Sequence, residues 1–192
     1  RFTVYNALGA LACCYDLGIP LAKAIQALEK VPPVKGRLEV VPVPAPYTVV
    51  IDYAHTPDAL EQVLADARRV TQGRLICLFG CGGDRDKTKR PVMGEIAASL
   101  SDLVILTSDN PRTEDPEAIL DQVAAGFPRG FADYHREPDR RAAIALALSL
   151  GRAGDVILLA GKGHETYQEI GKNRLPLDER EEIASFFQKS KV

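Results

Sequence analysis

Apolar positions along this chain follow two rhythms. Unbroken aliphatic and β-branched runs at 47–52, 75–79, 103–106 and 156–160 predict strands buried on both faces, with a shorter strand at 38–41. Between the runs, apolar residues recur at helical spacing. Residues 57–71 place Leu60, Val63, Leu64, Ala67 and Val70 on one stripe, and 116–127 do the same with Ile119, Leu120, Val123 and Ala124. Residues 91–100, 140–150 and 179–188 predict further helices, and Pro57 suits a first helical turn. This alternation predicts an α/β fold: a Rossmann-like, mostly parallel sheet with helices on both faces.

A helical pattern comes first. Val4, Leu8, Leu11 and Ala12 within 4–16, then Leu21, Ala24, Ile25 and Leu28 within 21–29, predict an αα-hairpin too small to be a domain. Pro32, Pro33, Gly36, Pro42, Pro44 and Pro46 then break the pattern, which predicts a domain boundary between 31 and 46.

Composition narrows the function classes. The 192 residues suffice for one α/β core and a small attachment, and a net charge of −2 gives no basic surface for nucleic acid. No apolar run approaches the roughly 18 residues of a membrane helix. Cys13, Cys14, Cys77 and Cys81 lack disulfide or zinc-ligand spacing. They predict reduced thiols in a cytoplasmic protein, with Cys81, in a glycine loop, as the exposed one. There is no signal-peptide pattern. The chain opens on Arg1-Phe2-Thr3 without an initiator Met, which predicts an excerpt from something longer.

Four predicted strands end in loops with chemistry, and in open α/β sheets ligands collect at that edge. Asp52-Tyr53-Ala54-His55-Thr56-Pro57-Asp58 offers a carboxylate for ribose hydroxyls and two rings for a base or phosphate, although Thr56 and Asp58 also read as a helix start. The Gly80–Pro91 loop is glycine-rich and carries Arg85, Lys87, Lys89 and Arg90. It is neither a dinucleotide fingerprint, since Arg85 stands where the third glycine belongs, nor a Walker A loop. Thr107-Ser108-Asp109-Asn110-Pro111-Arg112 supplies an acid, an amide and a guanidinium; read alone it is first a turn entering the next helix, with a solvated arginine. Gly161-Lys162-Gly163-His164-Glu165 adds exposed backbone and an acid for an ammonium, with His164 either a base or a packing residue. Taken jointly, carboxylates and guanidiniums at one edge predict a zwitterion pocket.

These motifs, together with Val4-Tyr5-Asn6-Ala7-Leu8 and Gly36-Arg37-Leu38-Glu39, span almost the whole chain. In that order they resemble the C-terminal part of a Mur ligase of the MurE type, the diaminopimelate-adding branch of the family. Thr88 stands where many relatives have glycine, and Ser108 where an acid is common.

The resemblance implies that residues 1–36 are the tail of a central ATPase domain and 37–192 a Rossmann-like C-terminal domain that binds the amino acid. It implies ATP and Mg2+ as cofactors, with the metal ligands and the P-loop outside this stretch. The implied partners are meso-diaminopimelate and UDP-N-acetylmuramoyl-L-alanyl-D-glutamate, in a cytoplasmic monomer that binds neither nucleic acid nor membrane. The reaction implied is peptidoglycan-precursor amide formation through an acyl phosphate, which this stretch alone would not catalyse. Carried onto matching positions, Asn6, Arg37, Asp52, Tyr53 and His55 would serve ATP, with Arg37 also catalytic. Arg85, Asp109, Asn110, Pro111, Arg112, Gly161 and Glu165 would hold the amino acid. The competing readings are a related ligase adding L-lysine or D-alanyl-D-alanine, a folylpolyglutamate-type ligase, and a non-catalytic Rossmann-like binding module.

Overall fold

The computed structural model describes residues 2–189, and the chain divides between Val34 and Lys35 into two compact units. The first is a helical hairpin, α1 (Phe2–Asp16) and α2 (Leu21–Leu28), joined by a turn in which Ile19 N–H donates to the Cys14 carbonyl. Two helices cannot enclose a core. Ala24 is the buried residue among the described side chains of this unit, and Val4, Tyr5, Leu8 and Tyr15 stay exposed.

The second unit begins with β1 (Glu39–Val41) and β2 (Thr48–Asp52). Then come α3 (Pro57–Arg68), β3 (Leu75–Phe79), α4 (Lys89–Leu100), β4 (Leu103–Leu106), α5 (Pro116–Ala124) and β5 (Tyr134–Arg136). It ends with α6 (Arg140–Leu150), β6 (Val156–Ala160), a hairpin of β7 (Tyr167–Ile170) and β8 (Asn173–Pro176), and α7 (Glu179–Lys189). The main sheet runs β1-β2-β6-β3-β4-β5, and all its pairs are parallel except β1 with β2.

The central strands are apolar throughout because both faces are covered. Val50, Cys77, Phe79, Val104 and Leu158 point to the face under α3, α4 and α5. Val49, Ile51, Ile76, Leu78 and Ile157 point to the face under α6 and α7.

The sheet and its helices follow the periodicity closely, with differences at the ends. Helix α4 starts at Lys89 rather than 91, because Pro91 then occupies the first turn, where its missing N–H costs no intrahelical bond. Helix α3 stops at Arg68 and α5 at Ala124, each three residues before the end predicted from the sequence. The pattern carries no signal for β5, whose Tyr-His-Arg is exposed and exists through backbone pairing with β4, nor for the β7–β8 hairpin. Cys81 is a correction: it is buried, with its Sγ 3.7 Å from the Met93 sulfur, and burial pushes its thiol up to about 12. The exposed cysteine is Cys13.

One buried ion pair closes the sheet's working edge from behind. Arg140, at the start of α6, and Glu179, at the start of α7, are both fully buried and 2.8 Å apart. Arg140 also donates to the carbonyls of Ser108 and Ala160, the residues that carry the chain out of β4 and β6. Glu179→Ala leaves that guanidinium buried without its counter-charge. Urea denaturation of the chain should show stability lowered by about 3–5 kcal/mol, and a loss below 1 kcal/mol would refute the role given to this pair.

Candidate functional site

Parallel register brings the strand ends level: Asp52 lies opposite Ala160, and Phe79 opposite Leu106. The residues that follow each strand therefore emerge side by side, and four loops share one edge.

The loop after β2 is built around Asp52. Its Oδ1 accepts from Ala54 N–H at 2.8 Å and its Oδ2 from Leu38 N–H at 2.7 Å, while burial pushes its carboxyl above the ordinary aspartate value. The carboxylate read from sequence as a ribose acceptor thus already receives two backbone N–H groups. It ties the Gly36-Arg37-Leu38 turn to the end of β2.

That turn has no room to vary. Gly36 has φ +71°, and a Cβ there would overlap the backbone of Gly163 and His164. Glu39 accepts from Gly36 N–H at 2.6 Å and from Arg180 Nε at 2.8 Å, and Arg180 donates on to the Gly163 carbonyl. The Arg180 hydrogen bonds hold the Glu39 carboxyl down at about 2.

Above this frame the exposed Arg37 guanidinium lies 4.9 Å from the centroid of the Tyr53 ring. The rings of His55 and His164 stand 4.6 and 4.9 Å from Tyr53. His164, ambiguous in the sequence, is an exposed member of this aromatic group.

The loop after β3 lies directly on the loop after β4. Gly83 N–H donates to the Asn110 carbonyl at 2.8 Å, and a Cβ on Gly83 would overlap the Pro111 carbonyl. Arg90, grouped by sequence with the charged binding residues, is a correction. Its side chain is fully buried, paired to both Glu114 oxygens at 2.9 and 3.0 Å and donating to Gln122 and the Gly82 carbonyl. It is a strut between the two loops, and its hydrogen bonds hold the Glu114 carboxyl at about 2. Arg85, in contrast, is exposed.

The loop after β4 carries the acid, amide and guanidinium. Arg112 is not a solvated arginine: its side chain is 21% exposed, and its backbone takes φ +53°. Its Nη1 donates to the Gly83 carbonyl at 2.8 Å, and its Nε sits 2.9 Å from Glu169 Oε2. Backbone bonds to the β7–β8 hairpin, from Arg112 N–H to Glu169 O and from Gly171 N–H to Arg112 O, hold the unusual conformation. Asn110 Nδ2 donates to Glu165 Oε2 at 3.1 Å, which joins this loop to the one after β6.

The four loops enclose a cavity of about 610 Å³. Tyr53, His55, Arg85, Asp109, Asn110, Arg112, Gly161 and Glu165, all read as site residues from the sequence, line it. Arg37 and Pro111 stand in its supporting loops, Asp52 ends β2, and Asn6 is exposed in α1 of the first unit. Sequence reasoning missed Tyr167 and Glu169, which line the cavity from the unforeseen hairpin, and Lys162, which is fully buried behind it. The one cue near Glu169 was the Gly171-Lys172 pair, which suits a two-residue hairpin turn, but the flanking residues 167–170 and 173–176 do not alternate in hydrophobicity. Among the described residues, no group of three or more His, Cys, Asp or Glu side chains could hold a metal ion, and no helix is long and apolar enough to cross a membrane.

Residues 36–163 match the family model described as "Mur ligase, glutamate ligase domain". The chain belongs to the Mur ligase family. A relative from Clostridioides difficile, named UDP-N-acetylmuramoyl-L-alanyl-D-glutamate--2,6-diaminopimelate ligase, is 50% identical over 94% of this chain and 37% of its own length. A relative of the same name from Synechococcus elongatus is 51% identical over 95% of the chain and 37% of its own length. The chain thus spans little more than a third of these relatives. A solved structure of that name superposes with a TM-score of 0.79 at 41% identity, over all of this chain and 39% of the other. Escherichia coli FolC, solved with DHPP and ADP, superposes at a TM-score of 0.65 and 19% identity, which shows the shared fold. The Mur ligase match begins at Gly36, the glycine that the backbone of Gly163 and His164 demands.

The two depressed carboxyls give this Mur ligase chain a defined acid response. Glu39 and Glu114 ionise near 2 in the folded chain instead of near the ordinary 4.5, so each contributes stability that is complete above about pH 5 and lost as pH falls toward 2. Urea midpoints measured from pH 7 to pH 2 should fall across that window. Glu39→Gln should flatten the fall, and an unchanged slope would contradict the Arg180 clamp.

Proposed function

We propose that this chain is the C-terminal portion of an ATP-dependent amide ligase of peptidoglycan precursor synthesis. The whole enzyme would add meso-diaminopimelate to UDP-N-acetylmuramoyl-L-alanyl-D-glutamate, in the cytoplasm and as a monomer. Residues 1–36 are then the tail of the central ATPase domain, and 37–192 the amino-acid-binding domain. The observation that carries this reading is one cavity lined by the Arg112 guanidinium, the Asn110 amide and the Asp109 and Glu165 carboxylates. It occurs in a chain half identical, over nearly all its length, to relatives with that name.

In the proposed reaction the dipeptide carboxylate attacks the γ-phosphorus of ATP, forming an acyl phosphate and releasing ADP. The amine then attacks the acyl carbon, and the tetrahedral intermediate expels phosphate as the amide forms. This portion contributes positioning. Asp109, Glu165 and the Gly161 backbone hold the ammonium end of the amino acid, and Asn110 and Arg112 hold carboxylate, with Arg85 at the cavity mouth. Pro111 stiffens the loop that presents them. On the nucleotide side Arg37 reaches toward transferred phosphate, and Tyr53 and His55 form a ring surface beside it. Asp52 acts there through the turn it folds, and Asn6 meets adenine from the ATPase tail. Magnesium, when bound, neutralises charge on the nucleotide. The described residues do not form its site, so its ligands, like the P-loop, are assigned to the remainder of the enzyme, and the isolated chain is inactive.

Diaminopimelate differs from lysine by a second carboxylate. With lysine bound, the Arg112 fork faces an empty position, and rejection of a substrate that leaves a polar group unpaired can reach ~10⁴-fold. Of the competing readings, addition of D-alanyl-D-alanine or glutamate gives Arg112 no distal carboxylate on a zwitterionic side chain to recognise. Arg112→Ala in the full-length enzyme should lower kcat/KM for diaminopimelate by roughly 10² or more. It should also collapse the preference over lysine. Unchanged selectivity in a competition assay would sink the assignment.

A further inference from the structure

Lys162 is a buried charge beside the cavity that has no place in the reading above. It is fully buried and does not line the cavity, so it meets neither solvent nor a bound amino acid. Its ammonium lies 2.5 Å from Asn110 Oδ1, 3.2 Å from Glu165 Oε2 and 3.4 Å from Asp109 Oδ1, and the Tyr167 ring centroid is 5.5 Å away. All four of these residues line the cavity.

The geometry points to Lys162 as the positioning residue of the amino-acid site, acting through Asn110 and Glu165. This inference rests on the amino-acid-binding function proposed for the cavity. Asn110 Oδ1 receives two donors, Lys162 Nζ and the backbone N–H of Glu169 at 2.9 Å. Only one orientation of the amide satisfies both, and that orientation aims Nδ2 at Glu165 Oε2. Glu165 Oε2 is then taken by Lys162 and Asn110, so Glu165 meets the cavity through Oε1.

Asp109 Oδ1 is buried without a hydrogen-bond partner, and its compensation is the same ammonium. One buried cation therefore sets an amide's direction and fixes two carboxylates that would otherwise repel each other in a shared wall. Because the hub presents acceptors outward, it suits an ammonium ligand; the Arg112 end of the cavity suits a carboxylate.

The test uses the full-length ligase carrying this portion, with Lys162→Met, Glu165→Gln and the double variant, assayed by diaminopimelate-dependent ADP release. Lys162→Met should raise KM for diaminopimelate at least ~30-fold. KM for ATP should stay within about twofold, since the nucleotide-side groups do not touch Lys162. Glu165→Gln should cost a similar factor. The double variant should be no more than about threefold worse than Glu165→Gln, because a residue acting through another is not additive with it.

Lys162→Gln, which can still donate to Asn110 but carries no charge, gives the same comparison should the methionine variant not fold; it too should raise KM for diaminopimelate selectively. Equal losses for ATP and diaminopimelate, or fully multiplicative losses in the double variant, overturn the inference and leave Lys162 a core residue. No diaminopimelate-dependent turnover by the unmodified enzyme overturns the proposed function and this inference with it. Normal turnover with an unshifted KM in a folded variant overturns this inference alone.

Discussion

A lysine ammonium with no access to water must be surrounded by acceptors, and that demand at Lys162 ties together two of the four loops of the working edge. The acceptors come from two chain segments, Asp109 and Asn110 after β4 and Glu165 after β6. Those strands are not adjacent: β3 lies between them in the sheet. A single cation thus spans a strand and holds two loops at a fixed separation across it. The loop after β3 has to pass between them, which is why Gly83 packs against Pro111 with no space for a side chain. The same logic is repeated underneath, where buried Arg140 draws the Ser108 and Ala160 carbonyls toward Glu179.

Backbone strain concentrates where these struts meet. Among the described residues, the non-glycine positions with positive φ are Leu38, Asp84 and Arg112, and each belongs to a loop at this edge. Such conformations cost roughly 1–3 kcal/mol and persist only where surroundings over-determine them. Leu38 is held by the Asp52 carboxylate. Asp84 is held by Glu114 on its N–H and by Thr113 on its carboxylate. Arg112 is held by the hairpin. The carboxylates at the edge therefore divide by task. Asp52, Glu39 and Glu114 spend their acceptor capacity on the protein's own backbone and arginines, while Asp109 and Glu165 keep part of theirs toward the cavity.

The sheet was legible because β3, β4 and β6 carry unbroken apolar runs that only two-sided burial explains, and their bounds match the runs residue for residue. The site loops were legible because an acid, an amide and a guanidinium beside a proline are an unusual way to leave a strand. The charges were harder to sort. Arg85 and Arg90 look alike in sequence, yet one is exposed and the other fully buried, because Arg90 falls on the inner face of α4 opposite Glu114 and Gln122. No local pattern encodes that pairing, since Glu114 and Gln122 belong to the β4–α5 segment. Cys81 misled for a related reason: a glycine-rich loop reads as open, but here the glycines serve close packing. The β7–β8 hairpin escaped because its strands are short and lack an apolar alternation, β8 being exposed throughout, and they pair with each other through the backbone.

That hairpin changes what Arg112 can do. A guanidinium alone on a turn would swing between solvent and substrate and distinguish poorly between anions. Here Glu169 takes Nε and the Gly83 carbonyl takes one Nη, so two of its donors are committed before any ligand arrives. The remaining edge of the fork is presented in one direction at little further entropic cost, the form of preorganisation that turns a charge into a selector. The Glu169 carboxylate also lowers the local positive charge, so a weakly bound bulk anion gains less than one whose geometry fits the free edge. An anion at this end of the cavity therefore meets the Arg112–Glu169 pair and its hairpin rather than a free guanidinium, and the conspicuous Asp-Asn-Pro-Arg sequence supplies only half of that arrangement.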